Sequence, residues 1–252
     1  MRAALAFAAL LGAGAAIAMA PGAVATGAAA MGAAEIVSAR YDAPTERYPH
    51  AVLGDAIEYG AMTVTLSDET TKTARLDPSL VFEDVAPRLA DLDGDGGAEV
   101  IVVESAQQHG ARLAVWGLRD GRLARLASTP HIGTRFRWLA PLGAADLDGD
   151  GRMELPYVDR PHLAKTLRVW RYLPDGPTLE EIAQAGGHTN HRIGERDIAG
   201  GIRTCAGRPE MITASADWQR LLATELTGEA LLSRDIGAHT GPDSFAAAME
   251  CR

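Results

Sequence analysis

A repeat constrains this chain more than any other feature. The string DLDGDGGAE at 91–99 returns as DLDGDGRME at 146–154, 55 positions later. Each copy leads into a strand-like apolar run, 100–103 in the first and 155–158 in the second, and then into a hairpin signal. Leu113, Val115 and Trp116 ahead of Asp120-Gly121 match Leu167, Val169 and Trp170 ahead of Asp175-Gly176, and Asp-Gly is a favoured tight turn. Fainter hairpins lie at 61–68 and 220–228, so the turn recurs at 68, 120, 175 and 228. Worn copies of the carboxylate string are read at 42–50, where Pro44 and His50 stand in place of acids, and around 197–207. Meanders of about four short strands at a fixed period, with alternating side chains and no helical period, are the mark of propeller blades. A β-sandwich would not carry the same loop at the same place. The expected fold is all-β: a small β-propeller of about four four-stranded repeats over 26–252, with four blades and a partial fifth as open alternatives because the strand-like run 244–249 is one strand too many.

The carboxylate string has its own chemistry. Asp91, Asp93 and Asp95 alternate, Gly94 and Gly96 let the backbone curl, and Glu99 closes the loop from the start of the next strand. Together with the main-chain carbonyl of Gly97 these are hard oxygen donors. They suit Ca²⁺, which takes roughly six to eight oxygens, better than zinc or copper, which favour His or Cys. The second set is Asp146, Asp148, Asp150 and Glu154 with the carbonyl of Arg152. An EF-hand is excluded, because its closing position would fall on Val102 or Tyr157, where a bidentate Glu is required. Carboxylates crowded in this way repel one another unless a cation relieves them.

With these two loops the chain resembles the FG-GAP, or VCBS-repeat, family, whose relatives include the integrin α-subunit propellers. The Phe-Gly and Gly-Ala-Pro pieces that name the family are absent here. The resemblance implies a calcium-bearing loop between the innermost strand of a blade and the next one out. It also implies exported proteins that bind a protein or polysaccharide partner and are mostly not enzymes.

Residues 1–25 read as a secretory signal peptide: one early Arg, a short apolar run interrupted by Gly, and a small-x-small end at Ala23-Val24-Ala25. Cleavage is placed after Ala25, since the alternative at Ala18-Met19-Ala20 puts Pro21 directly behind the cut. The mature chain is then expected in the periplasm or outside the cell, where Cys205 and Cys251, the two cysteines, form a disulfide that clamps the last repeat. No other apolar run is long enough to span a membrane. A formal charge of −9 argues against a nucleic-acid groove or an anionic membrane surface.

Alternate connections of an antiparallel meander emerge on the same side, so the carboxylate loops share a face with the Asp-Gly turns. The opposite face receives the loops 104–112, 130–135, 159–165, 186–192 and 237–243. These hold His109, His131, His162, His188, His191 and His239, leaving His50 elsewhere. An acid ends a strand of each repeat at Asp55, Glu104, Asp159 and Asp217, while Trp116 and Trp170 read as packing between blades. Partner contacts are assigned to His131, His188, His191, Arg192 and Trp218, the last as a stacking residue for a glycan. The rival expectation is a hydrolase or lyase using the His and acids of that face. Against it stand the absence of G-x-S-x-G and of H-E-x-x-H, and no catalytic residue is assigned.

Overall fold

The computed structural model describes residues 34–252, and the leader read at 1–25 lies outside them. The described chain folds into seventeen strands and one short helix. β1 (Ile36–Thr45), β2 (Glu58–Leu66), β3 (Thr71–Arg75), β4 (Leu80–Phe82), β5 (Arg88–Ala90), β6 (Glu99–Ala106), β7 (Gly110–Arg119) and β8 (Arg122–Ser128) make an eight-stranded sheet. β9 (Leu139–Pro141), β10 (Glu154–Asp159), β11 (Thr166–Leu173) and β12 (Thr178–Gly186) make a four-stranded one. β13 (His188–Thr189), β14 (Gly201–Cys205), β15 (Arg208–Ser215), β16 (Arg220–Thr227) and β17 (Ala230–Ala238) make the third. The pairing is antiparallel throughout.

The repeat is visible in the register. Val100 faces Trp116 in the first meander and Leu155 faces Trp170 in the second, and the next pairing slips at Val115/Trp116 and at Val169/Trp170. β6 is an unbroken run of eight buried residues rich in Val and Ile, as expected of a strand covered on both faces. The β7–β8 turn is Asp120-Gly121 with φ of 52° and 69°, the left-handed pair that a two-residue hairpin following the strand twist requires. The strand before each meander is broken in two. β4 and β5 both pair with β6, β13 and β14 both pair with β15, and β9 is followed by an isolated bridge from Ala145 to Glu154 on β10. The leading two repeats share one sheet instead of standing as separate blades, because β4 pairs Phe82 with Tyr59 of β2 on one side and with Glu104 of β6 on the other.

The apolar clusters lie in series along the chain. Met62, Val64 and Phe82 pack with Val100, Val102 and Trp116. Ile101, Leu113 and Val115 pack with Leu139, Leu155 and Tyr157, and Leu167 and Val169 with Met211 and Leu226. Trp116 and Trp170 are buried in these layers, at 7% and 8% exposed.

Three local expectations are corrected. Asp42 lies within β1, paired with Ala61, and its carboxylate accepts the Thr63 hydroxyl at 2.7 Å, so 42–50 contains no worn carboxylate loop. At the other end the acidic loop is cut to the two-residue turn Ala206-Gly207 between β14 and β15. The run 244–249 is helix, not the strand of a fifth blade: α1 spans Pro242–Met249. Pro242 opens the first turn, Asp243 complements its dipole, and Ala246, Ala247 and Ala248 are strong helix formers. Small apolar residues carry no clear period, which is why the strand reading failed there. Phe245 and Ala248 of α1 bury against Ile212, Ala214, Leu221 and Ala223, and Arg203, held by Glu210, donates to the Ala248 carbonyl at the helix end.

Cys205, at the end of β14, and Cys251, just beyond α1, are bonded with Cα atoms 6.0 Å apart. The bridge closes a loop of 46 residues and limits the unfolded chain, which is worth about 4 kcal/mol. Urea melts with and without reductant should differ by about that amount. The double variant Cys205→Ser, Cys251→Ser should melt like the reduced protein whether reductant is present or not.

Candidate functional site

The two acidic strings fold in the same way, the second with one further bond from the Asp150 N–H to Asp146 at 3.1 Å. In the first, Glu99 opens β6 and its Oε2 accepts the Leu92 N–H at 2.9 Å, which ties the loop to the strand that follows it. The Asp91 carboxylate accepts the N–H groups of Gly94 and Gly96 at 2.7 and 3.1 Å, and Asp93 accepts that of Asp95 at 3.1 Å. In the second, Glu154 accepts Leu147 at 2.8 Å, Asp146 accepts Gly149 and Gly151 at 2.7 and 3.0 Å, and Asp148 accepts Asp150 at 3.2 Å. The chain can wrap an aspartate this tightly only with left-handed backbone at alternate residues, φ 77° and 94° at Gly94 and Gly96, 80° and 85° at Gly149 and Gly151. A Cβ there would meet no neighbour, so glycine is needed for its backbone freedom and not for space.

The wrapping brings carboxylate oxygens of Asp91, Asp93 and Glu99 within 4.8 Å of one another, and likewise those of Asp146, Asp148 and Glu154. Each trio can hold a metal ion, and three carboxylates with no nitrogen or sulfur donor form a hard-cation set. Asp95 and Asp150 stand outside the trios, each with Oδ1 accepting the N–H of Gly97 or Arg152, at 2.7 and 2.9 Å. Glu99 is 8% exposed, and its burial, reinforced by the negative charges of Asp93, Asp95 and Asp91, pushes its carboxyl up to about 7.

The residue facing the closing Glu across the ladder separates the two loops electrostatically. Arg171 on β11 lies directly across from Glu154 and reaches Glu154, Asp148 and Asp150 at 2.7, 2.6 and 3.2 Å. In the first repeat the pairing of Val100 with Trp116 puts Gly117 at the corresponding place, and none of Asp91, Asp93, Asp95 and Glu99 has an ion pair among the described residues. The first set therefore has no internal counter-charge, whereas the second already has a guanidinium in it.

The opposite face gathers some of the expected partner residues and not others. Arg192 stacks on Trp218 with its guanidinium 4.1 Å from the ring centroid, and the two border a cavity of about 430 Å³ with His239, Pro242 and Phe245. His188 is 2% exposed and bonds the Thr213 hydroxyl at 2.9 Å; burial alone holds its pKa down at about 4. His191 is fully buried between His162 and the Glu195 carbonyl, and His131 lies apart against the Gly110 carbonyl. Two of the strand-ending acids are internal counter-ions. Glu104 accepts Arg112, Arg125 and the Trp116 indole, while Asp159 accepts Arg160 and Arg168.

His50, read as lying elsewhere, joins this face. Its ring stacks on Phe136 with centroids 4.9 Å apart, and it shares a cavity with Trp138 and His162. Its Nδ1 meets the carboxylate of Glu83, a fully buried acid that also accepts the Ser105 hydroxyl. Glu83 and Ser105 follow His50 by 33 and 55 positions and belong to no motif with it, so only the pairing of β4 with β6 reveals the group.

Residues 91–155, which contain both acidic loops, match the family of FG-GAP-like repeats. The match agrees with the resemblance read from the loops. No curated protein matches the chain.

Glu99 carries a pH signature. Its carboxyl ordinarily titrates near 4.5 and here near 7, so the folded state holds the proton more tightly. That contribution to stability is present below pH 4.5 and is lost as pH rises through 7. In chelator, the melting temperature of the native protein should fall relative to that of Glu99→Gln across this window. A saturating divalent cation should remove the difference in slope.

Proposed function

We propose that the chain is an exported, calcium-stabilised β-propeller scaffold of about four blades, which binds a protein or glycan partner through the face opposite its acidic loops. The observation that carries this reading is the pair of loops with the same hydrogen bonds, within a segment that matches FG-GAP-like repeats. The bonded Cys205 and Cys251 fit an oxidising compartment, and no helix among the described residues is long and apolar enough to cross a membrane. Calcium suits trios made of oxygen donors alone, with carbonyls of Gly97 and Arg152 and solvent completing the shell. When bound it supplies positive charge that offsets the mutual repulsion of Asp91, Asp93 and Glu99. The chain's own residues fix the backbone around it. The first loop binds more tightly, because in the second a cation must displace Arg171.

Melting in excess calcium should exceed melting in chelator, since a ligand at 100 times its dissociation constant adds about 2.7 kcal/mol. Asp93→Ala should remove most of the gain. Calorimetry should show one tight and one weak site, and Arg171→Gly should tighten the weak one about tenfold. Two equal sites, unaffected by Arg171→Gly, would contradict the ranking.

On the opposite face the Arg192–Trp218 stack is the exposed feature that a partner meets, beside a cavity with apolar and charged walls. Arg192→Ala and Trp218→Ala should each weaken partner binding at least tenfold and leave the calcium response intact. The buried His188 and His191 act on binding only through the fold.

A further inference from the structure

The cavity beside His50 differs from the other three described on this protein. It is about 320 Å³, at the small end of ligand clefts, which span roughly 300–1,000 Å³. Its walls are His50, Phe136, Arg137, Trp138, Arg160, His162, Leu163 and Ile193, with no Asp or Glu, on a chain of net charge −9. The other three cavities all contain acids.

Its polar atoms are fixed from behind. His191 Nε2 lies 2.8 Å from the Glu195 carbonyl and must donate to it, so the neutral ring accepts at Nδ1. His162 Nε2, 3.0 Å from that Nδ1, is then the donor, which leaves His162 Nδ1 with a free lone pair. Burial keeps both rings neutral at pH 7, with His162 lowered to about 4. On the other wall Glu83 engages His50 Nδ1, so Nε2 is the atom His50 has left for a ligand. Arg137 has no ion pair and no side-chain hydrogen bond among the described residues, whereas Arg160 is committed to Asp159. Phe136 holds a left-handed backbone, φ 64°, which is costly for a bulky residue, and the Tyr48 hydroxyl secures it by accepting the Phe136 N–H at 2.7 Å. Leu163 and Ile193, 61% and 72% exposed, supply apolar surface at the rim.

We propose that this cavity binds an acidic sugar, a uronate unit of a polysaccharide, with its carboxylate on Arg137, its hydroxyls on His162 Nδ1 and His50 Nε2, and its C–H face against the apolar rim. A ligand that satisfies this set needs an anion, hydroxyl donors and an apolar face in one compact ring. A free inorganic anion offers the first alone, and a neutral sugar lacks it. The assignment rests on the reading that this face binds a partner, and it names a second subsite beside the Arg192–Trp218 stack.

The test is calorimetric titration of the calcium-loaded protein at pH 7.5 with trigalacturonate and with neutral galactotriose. Trigalacturonate should bind at least tenfold more tightly. Arg137→Gln should abolish that preference, and His162→Phe should weaken both sugars, while calcium-dependent melting stays unchanged as proof of fold. Equal affinity for the two sugars would overturn the proposal. So would uronate binding that survives Arg137→Gln but is lost in Trp218→Ala, an outcome that leaves the face correct and the cavity wrong. Binding of neither sugar would overturn the proposal too, and leaves a protein as the partner of the face.

Discussion

Negative charge gathered at the head of a strand is the constraint around which this chain is arranged. Glu99 and Glu154 begin the central strands β6 and β10, and each holds the first leucine of its own loop, so the acidic string cannot relax without loosening the sheet. Asp91 and Asp146 turn the same backbone around a carboxylate through two glycine amides each. The cost is electrostatic, because burial and neighbouring acids oppose the ionisation of Glu99. The two repeats meet that cost differently. The second has Arg171 across the ladder, whereas the first has Gly117 there and no ion pair among the described residues. One loop is thus neutralised from within and the other is not.

The opposite face depends on the breaks in the leading strands. Where β13 stops and β14 starts, the chain between them carries Arg192 to the Trp218 ring, and the Gly194 amide donates to the Val52 carbonyl at 2.9 Å. The same segment contributes Ile193 to the His50 cavity and Arg196 to the cavity beyond it. Buried acids brace this face from within: Glu104 and Asp159 each hold two arginines, and Glu83 holds His50. Paired buried charges of this kind fix geometry more than they add stability.

Local chemistry was legible in the sequence and register was not. DLDGDG fixes its own backbone through alternating aspartates and glycines, so the loops could be read from nine residues, and so could the Asp120-Gly121 turn. The disulfide followed from two cysteines and an expected compartment. Arg171 could not be found in that way, because its meaning lies in the residue opposite it on the ladder. His50, Glu83 and Ser105 come together only through pairing between strands far apart in sequence. Histidines read as surface contacts proved to be interior where a strand edge covers them, as at His188, which faces Ser215 on β15. The short run at 244–249 misled for a simpler reason, since alanine-rich segments pack as readily in a helix as in a strand.

The most direct measurement is a crystal structure of the protein grown with calcium, examined at the first loop. The expected result is a strong peak between Asp91, Asp93 and Glu99, with six to eight oxygens at roughly 2.3–2.6 Å, and a weaker or absent peak at the second loop with Arg171 still on Glu154. Water alone among the carboxylates of the first loop at millimolar calcium would contradict the claim that this fold is completed by a cation.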